Sequence, residues 1–168
     1  NFSVFNQFLI ELKGLRFTLQ TRQYAIRRVE FDQWLINRVR AQVITHQVKE
    51  IRQEGEYYLV DEEYRARYLI GAGGTNCPVK RALFEPEGQP VRGSLIVAQE
   101  EEFVYPGASR LCHLWFLQQG LPGYAWYFPK SENVVNVGVG GSAARLKERG
   151  DTLRHHWELL TERLYAYG

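Results

Sequence analysis

Methionine is absent from all 168 residues, position 1 included. That leads us to expect a chain that starts after processing, or a piece of something longer. No signal peptide is expected ahead of Asn1. Cysteine is nearly absent. Cys77 and Cys112 form nothing like a disulfide framework, so a reducing cytoplasm is the expected compartment. No cysteine pair has zinc spacing, and His155 and His156, adjacent on a helix, would point about 100° apart. No metal site is expected. No run approaches the ~20 apolar residues of a membrane helix. An excess of one charge is missing too. The 21 Lys and Arg interleave with 19 Asp and Glu for a net charge of +2, which suits a mixed, solvated surface and argues for no nucleic-acid partner. There is no nucleophile elbow, although a Ser-His-Asp or Cys-His arrangement stays open. There is also no dinucleotide fingerprint after a first strand.

What is present is ordinary in amount and uneven in placement. Hydrophobic residues make up 45% and aromatics 14%, enough for one domain or two small lobes with a real core. Residues 2–12 are apolar without a clear period, and we expect a helix there. Residues 24–28 read as extended. Phe31, Trp34, Leu35, Arg38 and Val39 recur at helical spacing and predict a helix over 30–41, with Asp32 in its first turn. Three strands are expected over 43–51, 56–60 and 66–70, the last running directly into Gly71-Ala-Gly-Gly74. Residues 85–92, with Pro86, Gly88 and Pro90, read as a linker between 1–84 and 93–168. Strands over 95–104, 110–118, 123–128 and 134–140 follow, the last three as an antiparallel meander. Asp151 is the expected N-cap of a final helix whose Leu153, Trp157, Leu160 and Leu164 form one apolar stripe.

Two constellations could carry chemistry. The first is the turn Gly71 to Gly74 with Thr75-Asn76, Cys77-Pro78 and Lys80-Arg81. Backbone amides beside cations suit a pyrophosphate, though a plain turn before a basic helix fits as well. A thiol at a helix start, Cys77, can have a lowered pKa, though a buried cysteine that only packs accounts for it better. Cys112 reads as packing. The second constellation is Tyr124-Ala-Trp126-Tyr-Phe128-Pro129, followed by Gly138-Val-Gly140. In a strand Tyr124, Trp126 and Phe128 share a face. If the other face is core, this one lines a pocket or an interface. The glycines of the next strand then leave space or let a planar ring approach. A sandwich core fits the same pattern equally well.

Both constellations resemble the geranylgeranyl reductase family of FAD-dependent oxidoreductases, which shares the architecture of the aromatic hydroxylases and electron-transfer-flavoprotein dehydrogenases. The family's lipid-pocket motif, Tyr-x-Trp-x-Phe-Pro and then Gly-x-Gly after seven or eight residues, is matched by Tyr124, Trp126, Phe128, Pro129, Gly138 and Gly140. Arg28-Val-Glu-Phe-Asp32 with Leu35 looks like the family's Arg-x-x-Phe-Asp helix start. Residues 70–78 resemble its Gly-Ala-Asp-Gly turn, with Gly73 in the Asp position and Cys77-Pro78 where a Ser is usual. The resemblance covers roughly residues 24–140. It implies an α+β fold, a mixed or antiparallel sheet with packed helices, like the substrate-binding part of aromatic-hydroxylase-type flavoproteins. It implies FAD as cofactor, with Arg28, Gly71, Gly73 and Gly74 beside it, and an apolar, isoprenoid or lipid substrate against Tyr124, Trp126, Phe128, Gly138 and Gly140. Neither the family's Gly-x-Gly-x-x-Gly unit nor its later Gly-Asp turn occurs in these residues. We therefore expect the chain alone to bind FAD weakly or not at all and to be inactive. The partners implied are the apolar small molecule and a nucleotide-binding part or electron donor, and peripheral membrane contact is compatible with such a substrate. Two other readings stay open: an aromatic monooxygenase, halogenase or electron-transfer-flavoprotein dehydrogenase of the same architecture, and a non-enzymatic module binding an apolar ligand or partner.

Overall fold

A computed structural model describes residues 2–84, 95–106, 110–131 and 133–166. The chain is α+β and divides into two compact units, residues 1–39 with 93–168, and residues 40–92. The linker expected at 85–92 lies outside the described residues.

The larger unit is built on strands β1 (Phe2–Leu12), β2 (Leu15–Ile26), β6 (Ile96–Val104), β7 (Cys112–Phe116), β8 (Gly123–Ser131) and β9 (Val134–Ser142). They form one sheet in the order β2-β1-β7-β8-β9-β6. All neighbours are antiparallel except β1 and β7, which run parallel. The meander β7-β8-β9 is the one the sequence suggests.

The first strand is not. Residues 2–12 form β1 and not a helix, because Leu12 pairs with Leu15 across a two-residue turn. Lys13 and Gly14 there both have positive φ, 48° and 86°, the backbone that a tight hairpin requires and glycine adopts without strain. Once the hairpin closes, Phe8, Ile10 and Leu12 share one face.

Helix α1 (Arg28–Ile36) starts two residues before the expected position and stops five short of it. Glu30 therefore occupies its first turn, and Asp32 lies beyond it. The final helix, α4 (Leu153–Ala166), lays Leu160 into a core with Leu153, Trp157 and Leu164 packed against it, as the stripe foretells. Its cap is Thr152 and not Asp151: the Thr152 Oγ1 accepts from the His155 amide at 3.2 Å. Asp151 instead accepts the Thr152 amide at 2.7 Å and sits 2.8 Å from the His156 Nε2. A short helix α3 (Ala143–Glu148), unforeseen in the sequence, follows β9 directly, with Ser142 accepting from the Arg145 amide.

The smaller unit holds β3 (Ile51–Glu54), β4 (Tyr57–Val60) and β5 (Tyr64–Ala66), paired antiparallel in sequence order, and helix α2 (Pro78–Leu83). The expected strand at 43–51 is irregular chain up to Ile51. Its backbone amides go elsewhere: Asp61, at φ 49°, accepts from the amides of Lys49 and Glu50 and from His46. Likewise β5 ends at Ala66, so the expected strand over 66–70 does not feed the glycine turn. Tyr68 and Ile70 are almost fully exposed.

Candidate functional site

The two faces of the six-stranded sheet differ. Along β8 and β9, Ala125, Tyr127, Val135, Val137 and Val139 alternate onto one face, where they form the main core with Trp115, Leu121 and Leu160 of α4. Tyr124, Trp126 and Phe128 alternate onto the other. In register with them are Gly140, Gly138 and Asn136 on β9 and Phe116 and Leu114 on β7. The second face is thus not the main core, and along β8 it has three different surroundings.

At the far end, Phe128 is half-buried against Phe8, ring centroids 6.3 Å apart, in a small second core with Phe5, Ala25 and Cys112. Burial pushes the Cys112 thiol up to about 12, so it stays a neutral packing group. In the middle lies Trp126. A Cβ at Gly138 would fall 2.2 Å from its Cζ2, and one at Gly140 would be 3.6 Å from its Cζ3. The planar ring that the glycines admit is Trp126 itself, held in place by its indole N–H donating to the Asn136 Oδ1 at 2.8 Å. Asn136, which the sequence reading did not single out for this role, is the buried polar partner such an indole needs.

At the near end the face opens. A hollow of about 530 Å³ is lined by Ile10 and Leu12 of β1, Phe17 of β2, and Phe116 and Leu117 at the end of β7. Pro122, Gly123 and Tyr124 complete it, with Arg145 of α3 as its one charged residue. Tyr124 stacks on Phe116 with centroids 5.2 Å apart and tilts against Trp126 at 5.5 Å. Tyr124 and Phe17 stay 41% and 49% exposed. These are large rings held in place yet wetted on one side, as an apolar binding surface requires. Gly123 has a separate reason: a Cβ there would meet the Gly140 carbonyl oxygen at 1.9 Å, so the strands can close only on glycine. Of the hollow, sequence reasoning found only Tyr124. Ile10 and Leu12 were hidden by the helix expected over 2–12, and Phe17 because no strand was expected directly after it; the Lys13-Gly14 turn was the signal available.

The expected cofactor residues lie apart along the chain, Arg28 in the larger unit and the glycines in the smaller. Arg28 is highly exposed at the start of α1, with Nε 2.7 Å from both Asp32 carboxylate oxygens. Gly71 and Gly73 turn toward their own helix, whereas Gly74, at φ 68°, has open space beside it. A Cβ at Gly71 would sit 2.8 Å from the Val79 Cβ and 2.9 Å from the Cys77 Sγ, and one at Gly73 would meet Cys77 at 3.1 Å. The Cys77 sulfur accepts from the amides of Lys80, Gly73 and Val79, which lowers its pKa, with Arg81 adding to the effect. Beside Gly71 and Gly73 the space is therefore taken up by Cys77 and Val79, while residues 71–76 stay exposed. Among the described residues no three His, Cys, Asp or Glu gather as metal ligands, and no helix is long and apolar enough to cross a membrane.

Comparison with known proteins follows the same region. Residues 96–163 match the geranylgeranyl reductase catalytic domain. The chain is similar to digeranylgeranylglycerophospholipid reductase 1 of Methanopyrus kandleri, 31% identical over 144 residues, 76% of this chain and 37% of that protein. It is also similar to digeranylgeranylglycerophospholipid reductase 2 of the same organism, 29% identical over 155 residues, 84% of this chain and 39% of that protein. The chain thus spans less than two fifths of the length of these curated relatives. No solved structure matches.

Proposed function

We propose that this chain, which residues 96–163 place in the geranylgeranyl reductase family, supplies the substrate wall of a flavin-dependent reductase acting on an isoprenoid lipid. The observation that carries the reading is the open end of the second sheet face. Phe116 and Tyr124 stack beside Trp126 over a hollow with apolar floor and sides, while the opposite face of the same strands is packed core. An isoprenoid chain offers no hydrogen bonds, so it is recognised by apolar area and shape, at roughly 25 cal/mol for each Å² removed from water. Reduction of its double bonds is chemistry that a redox cofactor supplies. What these residues do is bind the chain, orient it and exclude water. The hydride donor and its cradle belong to the whole protein, consistent with the share of the relatives' length spanned here.

Titration of the chain with a long-chain isoprenoid alcohol, following tryptophan fluorescence, tests this. Trp126 is the tryptophan on the open face, and Trp157 packs from α4 on the other. The response should vanish in Trp126→Phe and survive in Trp157→Phe. The reverse pattern would move the site off this face.

A further inference from the structure

The hollow has a polarity that an uncharged chain would not use. Its one charged residue, Arg145, is exposed on α3, and its guanidinium makes no ion pair with any described residue. Glu11, the carboxylate nearest in sequence to the lining residues of β1, pairs in register with Trp115 and so faces the other side of the sheet. There it is held by Arg16 at 2.7 Å and by Gln118. One turn along from Arg145, Arg149 donates to the Gly120 carbonyl, so both cations lie along the 117–124 segment, with Glu148 as the one acid of α3. The far side of the face has the opposite sign. Glu100 and Glu102 of β6 lie in register with Gly138 and Asn136, and while Glu102 is neutralised by Arg27 at 2.6 Å, Glu100 is exposed. The face therefore runs from a cation at the Tyr124 end, over aromatic rings, to a carboxylate beyond Trp126.

From this we infer that Arg145 is a specificity-determining residue. It holds the anionic phosphate headgroup of a single amphiphilic substrate molecule whose apolar tail lies from Tyr124 toward Trp126. The reading rests on the substrate wall proposed above and adds a headgroup and a direction to it. A guanidinium suits a phosphate because its fork of donors matches the oxygens two at a time, and Glu100 disfavours the reversed orientation by like charge.

The test uses the full 168-residue chain, with farnesyl monophosphate, farnesol and inorganic phosphate as probes in calorimetric titration. The monophosphate should bind about tenfold more tightly than farnesol, as loss or gain of one charge-assisted hydrogen bond implies. Arg145→Gln should bring the monophosphate down to the affinity of farnesol and leave farnesol unchanged; Arg145→Lys should recover part of the difference. Tyr124→Ala should weaken both prenyl probes. Equal binding of the two prenyl probes by the native chain, or equal weakening of both by Arg145→Gln, overturns the headgroup assignment and leaves the wall standing. Inorganic phosphate binding as tightly as the prenyl phosphate overturns it as well, because the anion site would then be unconnected to the wall. If neither prenyl probe binds, both readings fall.

Discussion

The two faces of one sheet, made from alternate residues of the same strands, have opposite fates. On one, Ala125, Tyr127, Val135, Val137 and Val139 meet α4 and lose almost all contact with water. On the other, Tyr124 is exposed beside the hollow, Trp126 is buried between them, and Phe128 is half-buried against the small second core. The difference comes from the partners and not from residue hydrophobicity, since both sets are apolar. The valines meet a helix stripe. Trp126 meets two glycines and an asparagine, so it lies flat and paired. Tyr124 meets Phe116, one side of Trp126 and the rim of the hollow. An apolar face that is organised without being covered is what a binding surface costs in stability.

Four substitutions and one titration can break or sharpen this contrast. The largest effect is expected from Val137→Asp, which buries an unpaired carboxylate in the main core and should cost more than about 4 kcal/mol, abolishing the folded state in chemical denaturation. Tyr124→Ala, on the adjacent strand but the open face, should stay within about 1 kcal/mol of the native chain. Similar losses for the two would erase the distinction between the faces. Next comes Gly138→Ala, whose new methyl falls inside the Trp126 ring and must displace it from Asn136; a loss of about 1–3 kcal/mol with red-shifted tryptophan emission is expected. Gly140→Ala meets nothing closer than 3.5 Å and should be nearly neutral. The smallest effect is the titration of His113, stacked with Trp115 on the helix-covered face. Burial lowers its pKa below 6.5, with Arg16 acting the same way and Glu11 against it. The unfolded chain then binds this proton more readily, so stability should be full above about pH 6.5 and fall as pH drops from there toward the folded value. His113→Phe should flatten that part of the profile in urea melts.

How much of this was legible depended on whether the signal was local. The meander and the α4 stripe are periodic patterns, and they read correctly. The motif from Tyr124 to Gly140 gave the right strands, but which of its rings would be open could not be read from it, because β1 decides that. Phe8 covers Phe128, while Ile10 and Leu12 only edge the Tyr124 end. A parallel pairing between β1 and β7, about a hundred residues away in sequence, leaves no local trace. The strand expected at 43–51 failed for a related reason: a distant side chain, Asp61, takes the amides that a sheet partner would have used. Asn136 and Arg145 are single polar residues whose importance exists only once their neighbours are assembled.

The central claim is that an isoprenoid chain lies against the Tyr124 end of the open face. Photolabelling tests it most directly: a prenyl alcohol carrying a diazirine is bound, irradiated, and located by peptide mapping. Labels on residues 10–17 and 116–126 are predicted. Labels concentrated on α4 or α1, with those segments clean, would contradict the account.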